Sequence, residues 1–91
     1  MKIWKVVGIR NVDYVSRKTG RQVQGCELHL AREADNSDHQ GLEVRPEYIS
    51  RRILNRIKEE SGFQPHMNGF IQFVYDERGD IYDIIPKDAV S

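Results

Sequence analysis

Along the first fifteen residues apolar side chains fall on both parities, with Ile3, Val7, Ile9 and Val15 on odd positions and Trp4, Val6, Val12 and Tyr14 on even ones. Such a run predicts one long strand with apolar groups on both faces, and Gly8 in its middle predicts a bend or bulge. Ser16-Arg17-Lys18-Thr19-Gly20 predicts a turn, in which Gly20 supplies a positive φ. From Arg21 to Leu30 the alternation is clean. Cys26, Leu28 and Leu30 share one face, and Gly25, Glu27 and His29 share the other. The two segments therefore read as a long antiparallel hairpin.

Residues 33–41, EADNSDHQG, carry no large apolar side chain and predict a solvated loop. Leu42-Glu43-Val44 predicts a short third strand that Pro46 stops. A helix is expected from Glu47 to Glu60. Ile49, Ile53 and Ile57 recur there at four-residue spacing beside Leu54, and Glu47 suits the positive end of the helix dipole. Arg51, Arg52 and Arg56 fall on its polar face, where solvation or pairing with Glu47, Glu59 or Glu60 is expected. Gly62 is the expected helix stop. After a loop through Gln64, Pro65, His66 and Asn68, two β-branched and aromatic strands, 70–75 and 81–85, flank the turn Asp76-Glu77-Arg78-Gly79-Asp80.

The expected fold is mainly β with one helix, in the order β-β-β-α-β-β. That order, with a long first strand bent at a glycine, matches the OB-fold, a five-stranded Greek-key barrel. Ninety-one residues suit a single domain, 1–91, with one modest core, and leave no room for a dinucleotide-binding sheet or an eight-stranded α/β barrel.

Charge adds what patterning does not. Fourteen basic side chains balance fourteen acidic ones. The balance hides a division, because residues 1–32 hold seven basic and two acidic side chains, whereas residues 33–91 hold seven basic and twelve acidic. A single cysteine, Cys26, excludes an internal disulfide and points to a reducing, cytoplasmic setting. Lys5 and Arg10 interrupt the N-terminal apolar run too early for a secretory signal, so neither export nor a membrane span is expected.

Groups that could carry catalysis disperse. Cys26 and His29 are three apart on one strand, which sends them to opposite faces, so a thiolate–imidazole pair is not expected and Cys26 reads as a small buried side chain. His29, His39, His66 and Asp38 lack the spacing of zinc ligands, the carboxylate pairs Glu59/Glu60 and Asp76/Glu77 read as solvated charge, and the glycines are isolated turn residues. No enzyme activity, metal or cofactor is expected.

Binding is better served. Arg10, Arg17, Lys18 and Arg21 cluster on the first hairpin, Lys2 and Lys5 lie along the same strand, and Trp4 and Tyr14 interleave with them. Cations that track phosphates beside rings that stack on bases are what single-stranded nucleic acid requires. Trp4, Phe70 and Phe73 are expected in the core, while Tyr14, Tyr75 and Tyr82 are open to either role. The acidic 76–80 turn counts against phosphate binding on its side.

The run IWKVVGIRNVDYVSRKTGRQVQGCELHL and the ending GFIQFVYDERGDIYDIIP resemble a group of small proteins from phages and mobile elements of Gram-positive bacteria. Those in turn resemble the compact OB-fold single-stranded DNA-binding proteins of filamentous phages, which are more basic and lack a helix at 47–60. The resemblance implies a non-catalytic module for single-stranded nucleic acid, DNA rather than RNA, with weak sequence preference. It nominates Arg10, Arg17, Lys18 and Arg21 for phosphates and Tyr14 for stacking. The rival expectation is a protein-interaction or assembly module in which the basic and acidic halves attract neighbouring copies or a protein partner.

Overall fold

The computed structural model describes residues 2–34, 38 and 40–87. Five strands and one helix follow in the expected order: β1 (Trp4–Val15), β2 (Gln22–Glu33), β3 (Leu42–Ser50), α1 (Arg51–Ser61), β4 (Phe70–Tyr75) and β5 (Ile81–Lys87). All strand pairs are antiparallel, in one sheet of order β3-β2-β1-β4-β5. Three strands in hairpin sequence, with the fourth returning by a long connection to lie beside the first, is the Greek-key arrangement.

The expected barrel does not close. β3 and β5 remain the two edges of an open sheet. Each edge carries a proline, Pro46 on β3 and Pro86 on β5, which removes a backbone donor from a would-be seam. The helix packs against β2, β3 and β5, and the Arg56 guanidinium donates to the Tyr82 carbonyl of β5.

Pro46 does not end β3, and the helix begins four residues later than its apolar spacing suggests. On an edge strand a residue whose N–H would face outward costs no ladder bond, so the pairing with β2 continues through Pro46↔His29 to Gly25↔Ser50. Ser50 is extended at φ −66° and ψ 152°, and its Oγ accepts from the Ile53 N–H at 3.3 Å, which makes it the N-cap. Ile49 satisfies a helical period and a strand period alike, and it belongs to the strand. Glu47 accordingly lies in β3 beside Arg45, and the first helical turn holds no acidic residue. Gly62 does end the helix, at φ 75°, with its N–H bonded to the Lys58 carbonyl. β2 runs to Glu33; of the expected 33–41 loop, residues 35–37 and 39 lie outside the described ones.

The core lies between α1 and one face of the sheet. Trp4, Val6, Leu28, Leu30, Ile49, Ile57, Ile71, Phe73 and Ile84 form it, with Cys26, Ile53, Leu54, Phe63 and Ile81 packed around them. Phe70, expected in the core, is only half-buried because it stands on the opposite parity from Ile71 and Phe73. The other face of β1, β2 and β3 carries no helix.

Candidate nucleic-acid interface

The register of β1 against β2 decides which side chains that uncovered face presents. Val6 pairs with Leu30 and Gly8 with His29, so Val7 is an extra residue and the ladder is bulged. A one-residue shift exchanges the faces of everything beyond it. Trp4 and Val6 therefore point into the core, whereas Arg10, Val12 and Tyr14, of the same parity, point to the outer face. Gly8 gives the His29 side chain room, since a Cβ there would lie 2.9 Å from His29 Nδ1 and 3.2 Å from His29 Cβ. The bend expected at Gly8 is thus a bulge, and the His29 ring rests on it.

The nominated residues divide into three environments. Tyr14 stands on the outer face opposite Val23 and is 56% exposed. Arg17, Lys18 and Arg21 are exposed in the turn beyond it, which is closed by Ser16 N–H to Arg21 O (2.8 Å) and Gly20 N–H to Ser16 O (2.8 Å). These three cations make no ion pair among the described residues. Extending the register one step past Val15↔Gln22 places Arg21 on the Tyr14 face. The hairpin thus brings one ring and three uncommitted cations together.

Arg10 is differently placed. Its Nε and Nη2 both donate to the Glu27 carboxylate at 3.3 Å, and His29 Nε2 meets the same carboxylate at 2.8 Å. The His29 hydrogen bond first, and the Arg10 hydrogen bonds next, hold the Glu27 carboxyl below its ordinary value of 4.5. Because the folded pKa is depressed, the contribution to stability is present above the unfolded value and is lost as pH falls through the folded one. We expect acid unfolding of wild type to steepen below pH 4.5, and Glu27→Gln to flatten that segment in urea titrations taken at successive pH values. An unchanged profile in the variant would show that the pair does not matter to the fold.

Two aromatic residues extend the surface from β3 towards the far edge. Tyr48 shares the outer face with Glu27, its hydroxyl donates to the Gln24 carbonyl at 2.9 Å, and it is 43% exposed. Gly25 admits the ring, for an alanine Cβ there would lie 2.9 Å from Tyr48 Cε1. Tyr48 also borders a cleft of about 530 Å³ between the start of α1 and the β4–β5 turn, which is lined by Arg52, Arg56, Arg78 and Tyr82 among others. Arg56 does not pair with a helix carboxylate as its spacing suggests. Its guanidinium carbon sits 4.3 Å from the Tyr82 ring centroid instead. Sequence reasoning missed Tyr48 and Arg52, because both lie where one element passes into the next and their faces follow only from where β3 ends.

The acidic turn is held in shape by one of its own carboxylates. Asp76 Oδ1 accepts from the backbone N–H groups of Arg78 (2.9 Å) and Asp80 (3.0 Å), so that carboxylate is engaged in shaping the turn. Trp4 is not a stacking platform. It is 3% exposed and lies 5.5 Å and 5.7 Å from the guanidinium carbons of Arg32 and Arg45. Lys2 is committed to Glu43 at 3.8 Å. Cys26 is partly buried on the core-side face, 3.6 Å from Asn11 Oδ1, and His29 is on the opposite face.

His39 lies outside the described residues, and among the described ones no three metal-ligating side chains gather. No described helix is long and apolar enough to cross a membrane. Comparison of the chain with protein-family models, curated proteins and solved structures finds no match, so no relative supplies a function for these residues.

Proposed function

We propose that this chain is a non-catalytic module that binds single-stranded nucleic acid along the outer face of β1–β3, entering at the hairpin tip. The observation that carries the proposal is the exposed Tyr14 ring beside the uncommitted cations Arg17, Lys18 and Arg21. Phosphates approach the cations while bases lie on the rings of Tyr14 and Tyr48, each stack contributing about 1–3 kcal/mol. Both rings offer faces rather than a pocket of fixed donors and acceptors, which supports weak sequence preference. Arg10 joins the contact by exchanging Glu27 for a phosphate.

The strand order supports reading the sheet as an OB barrel opened between β3 and β5, with the β1–β2 turn and the β4–β5 turn flanking the binding strands as they do in that fold. The prolines on both edges weigh against assembly by strand addition, the structural route the rival assembly reading would use most directly.

Fluorescence anisotropy of a labelled single-stranded oligonucleotide at rising salt tests the proposal. We expect saturable binding at low salt that weakens steadily with salt, and Tyr14→Ala to lose about 1–3 kcal/mol of it. No binding at low salt, or binding indifferent to Tyr14→Ala and to the loss of the tip cations, refutes it. Salt-sensitive self-association without nucleic acid would favour the assembly reading instead.

A further inference from the structure

We propose that the cleft between α1 and the β4–β5 turn is a second binding site, which takes a planar aromatic ring bearing an anionic group, the chemistry of a nucleobase with its phosphate. The site shares Tyr48 with the strand path proposed above but uses none of the hairpin-tip cations. Its volume, about 530 Å³, is that of a small-ligand pocket.

Its two rings are held before any ligand arrives. Tyr82 borders the cleft, with Arg56 stacked on its ring at 4.3 Å from the centroid and 53% of the residue still exposed. Tyr48 is anchored through its hydroxyl and by the close approach to Gly25. A ring already ordered gives up little rotamer entropy when a base stacks on it.

The charges suit the rest of such a ligand. Arg52 and Arg78 border the cleft and make no ion pair among the described residues. Arg56 Nε is a buried donor with no hydrogen-bond partner among the described residues. Two carboxylates oppose them. Asp76 is turned to the backbone of its own loop, and Asp80 is available to accept from a sugar hydroxyl or a base amino group. An inorganic anion would leave both tyrosines unused, and a neutral apolar ligand would strip water from the guanidinium groups without replacing it. An aromatic anion uses both sets.

The source of that chemistry is either a free nucleotide or the phosphorylated end of a strand. Two-dimensional NMR of the full chain, including arginine Nε–H signals, distinguishes them in separate titrations with adenosine monophosphate, inorganic phosphate and a 5′-phosphorylated oligonucleotide. We expect adenosine monophosphate to shift Arg56 and Arg78 Nε–H and the Tyr82 amide saturably. Arg78→Ala and Tyr82→Leu should each weaken it about fivefold or more, and inorganic phosphate should bind about tenfold more weakly, as the loss of one base stack requires. Tighter binding of the oligonucleotide end at the same signals identifies the strand terminus as the source, and equal or weaker binding identifies the free nucleotide.

No shift in the cleft of folded protein, shifts confined to residues 16–21, or phosphate matching the nucleotide overturns the proposal. A variant that unfolds is replaced by Arg52→Gln, which leaves the sheet untouched. Arg17→Ala plus Arg21→Ala should leave the cleft titration unchanged, so failure of hairpin binding and failure of this site give different results.

Discussion

Replacing Gly25 with alanine is expected to destabilise the fold by about 2–3 kcal/mol, in the range of overpacked interiors, and to disable the Tyr48 platform. A Cβ at this position would lie 2.2 Å from the Ile49 carbonyl oxygen and 2.9 Å from Tyr48 Cε1 and Oη. The tyrosine ring can swing away, but the backbone oxygen cannot. Relief therefore requires β2 and β3 to separate at Gly25↔Ser50 and Cys26↔Ile49, where Ile49 is a core residue and Ser50 caps the helix. Urea denaturation should show a lower midpoint with little change in slope. Adding Tyr48→Ala should recover only part of the loss, because the clash with Ile49 persists. Full recovery would mean that the ring, not the strand backbone, is what excludes a side chain here, and an unchanged midpoint would contradict the close approach of the two strands.

The second large effect concerns binding. The triple variant Arg17→Ala, Lys18→Ala, Arg21→Ala is expected to lose about a hundredfold in oligonucleotide affinity at low salt. The figure follows from about 1 kcal/mol for each contact between an exposed cation and a phosphate in water. Its slope of log affinity against log salt should be shallower by about 2, since each phosphate neutralised on a single strand contributes about 0.7. The loss should be nearly uniform across base sequences, because these side chains meet phosphates rather than base edges. Stability should move by no more than about 0.5 kcal/mol, as expected for exposed turn residues without partners. An unaltered salt slope would place the strand elsewhere on the molecule.

Much of the fold was legible along the chain because the strong signals are local. The alternation in 21–30, the glycine turns and the two apolar strands after residue 70 specify strands by a two-residue period, and Gly62 specifies a helix end by its positive φ. The boundary between β3 and α1 was not legible in this way. Ile49, Ile53 and Ile57 fit a helix, and only the pairing of Ile49 with Cys26 assigns the first of them to the sheet. Pro46 misleads for a related reason, since its effect depends on whether its missing N–H would have faced a neighbouring strand or open space.

The candidate site was legible in part. Residue type alone marks the cations of the hairpin tip, since Arg17, Lys18 and Arg21 sit in a turn that itself holds no carboxylate. Arg10 looks the same in the sequence and proves different, because Glu27, seventeen residues away, lies directly across the ladder. Tyr48 and Tyr82 gain their roles from contacts with Gln24 and Arg56 that span 24 and 26 residues.

By itself, then, the sequence determined the elements, their order and the basic character of the first hairpin, all properties carried by a few neighbouring residues. Only the tertiary structure decided that the sheet stays open, that Tyr14 stands on the outer face, and that Tyr48 and Tyr82 border a cleft. Each of these depends on register. One extra residue at Val7 exchanges the faces of β1, and one guanidinium reaching the Tyr82 carbonyl fills part of the gap between the edges. Such pairings between distant segments are settled by packing and leave no periodic mark in the chain.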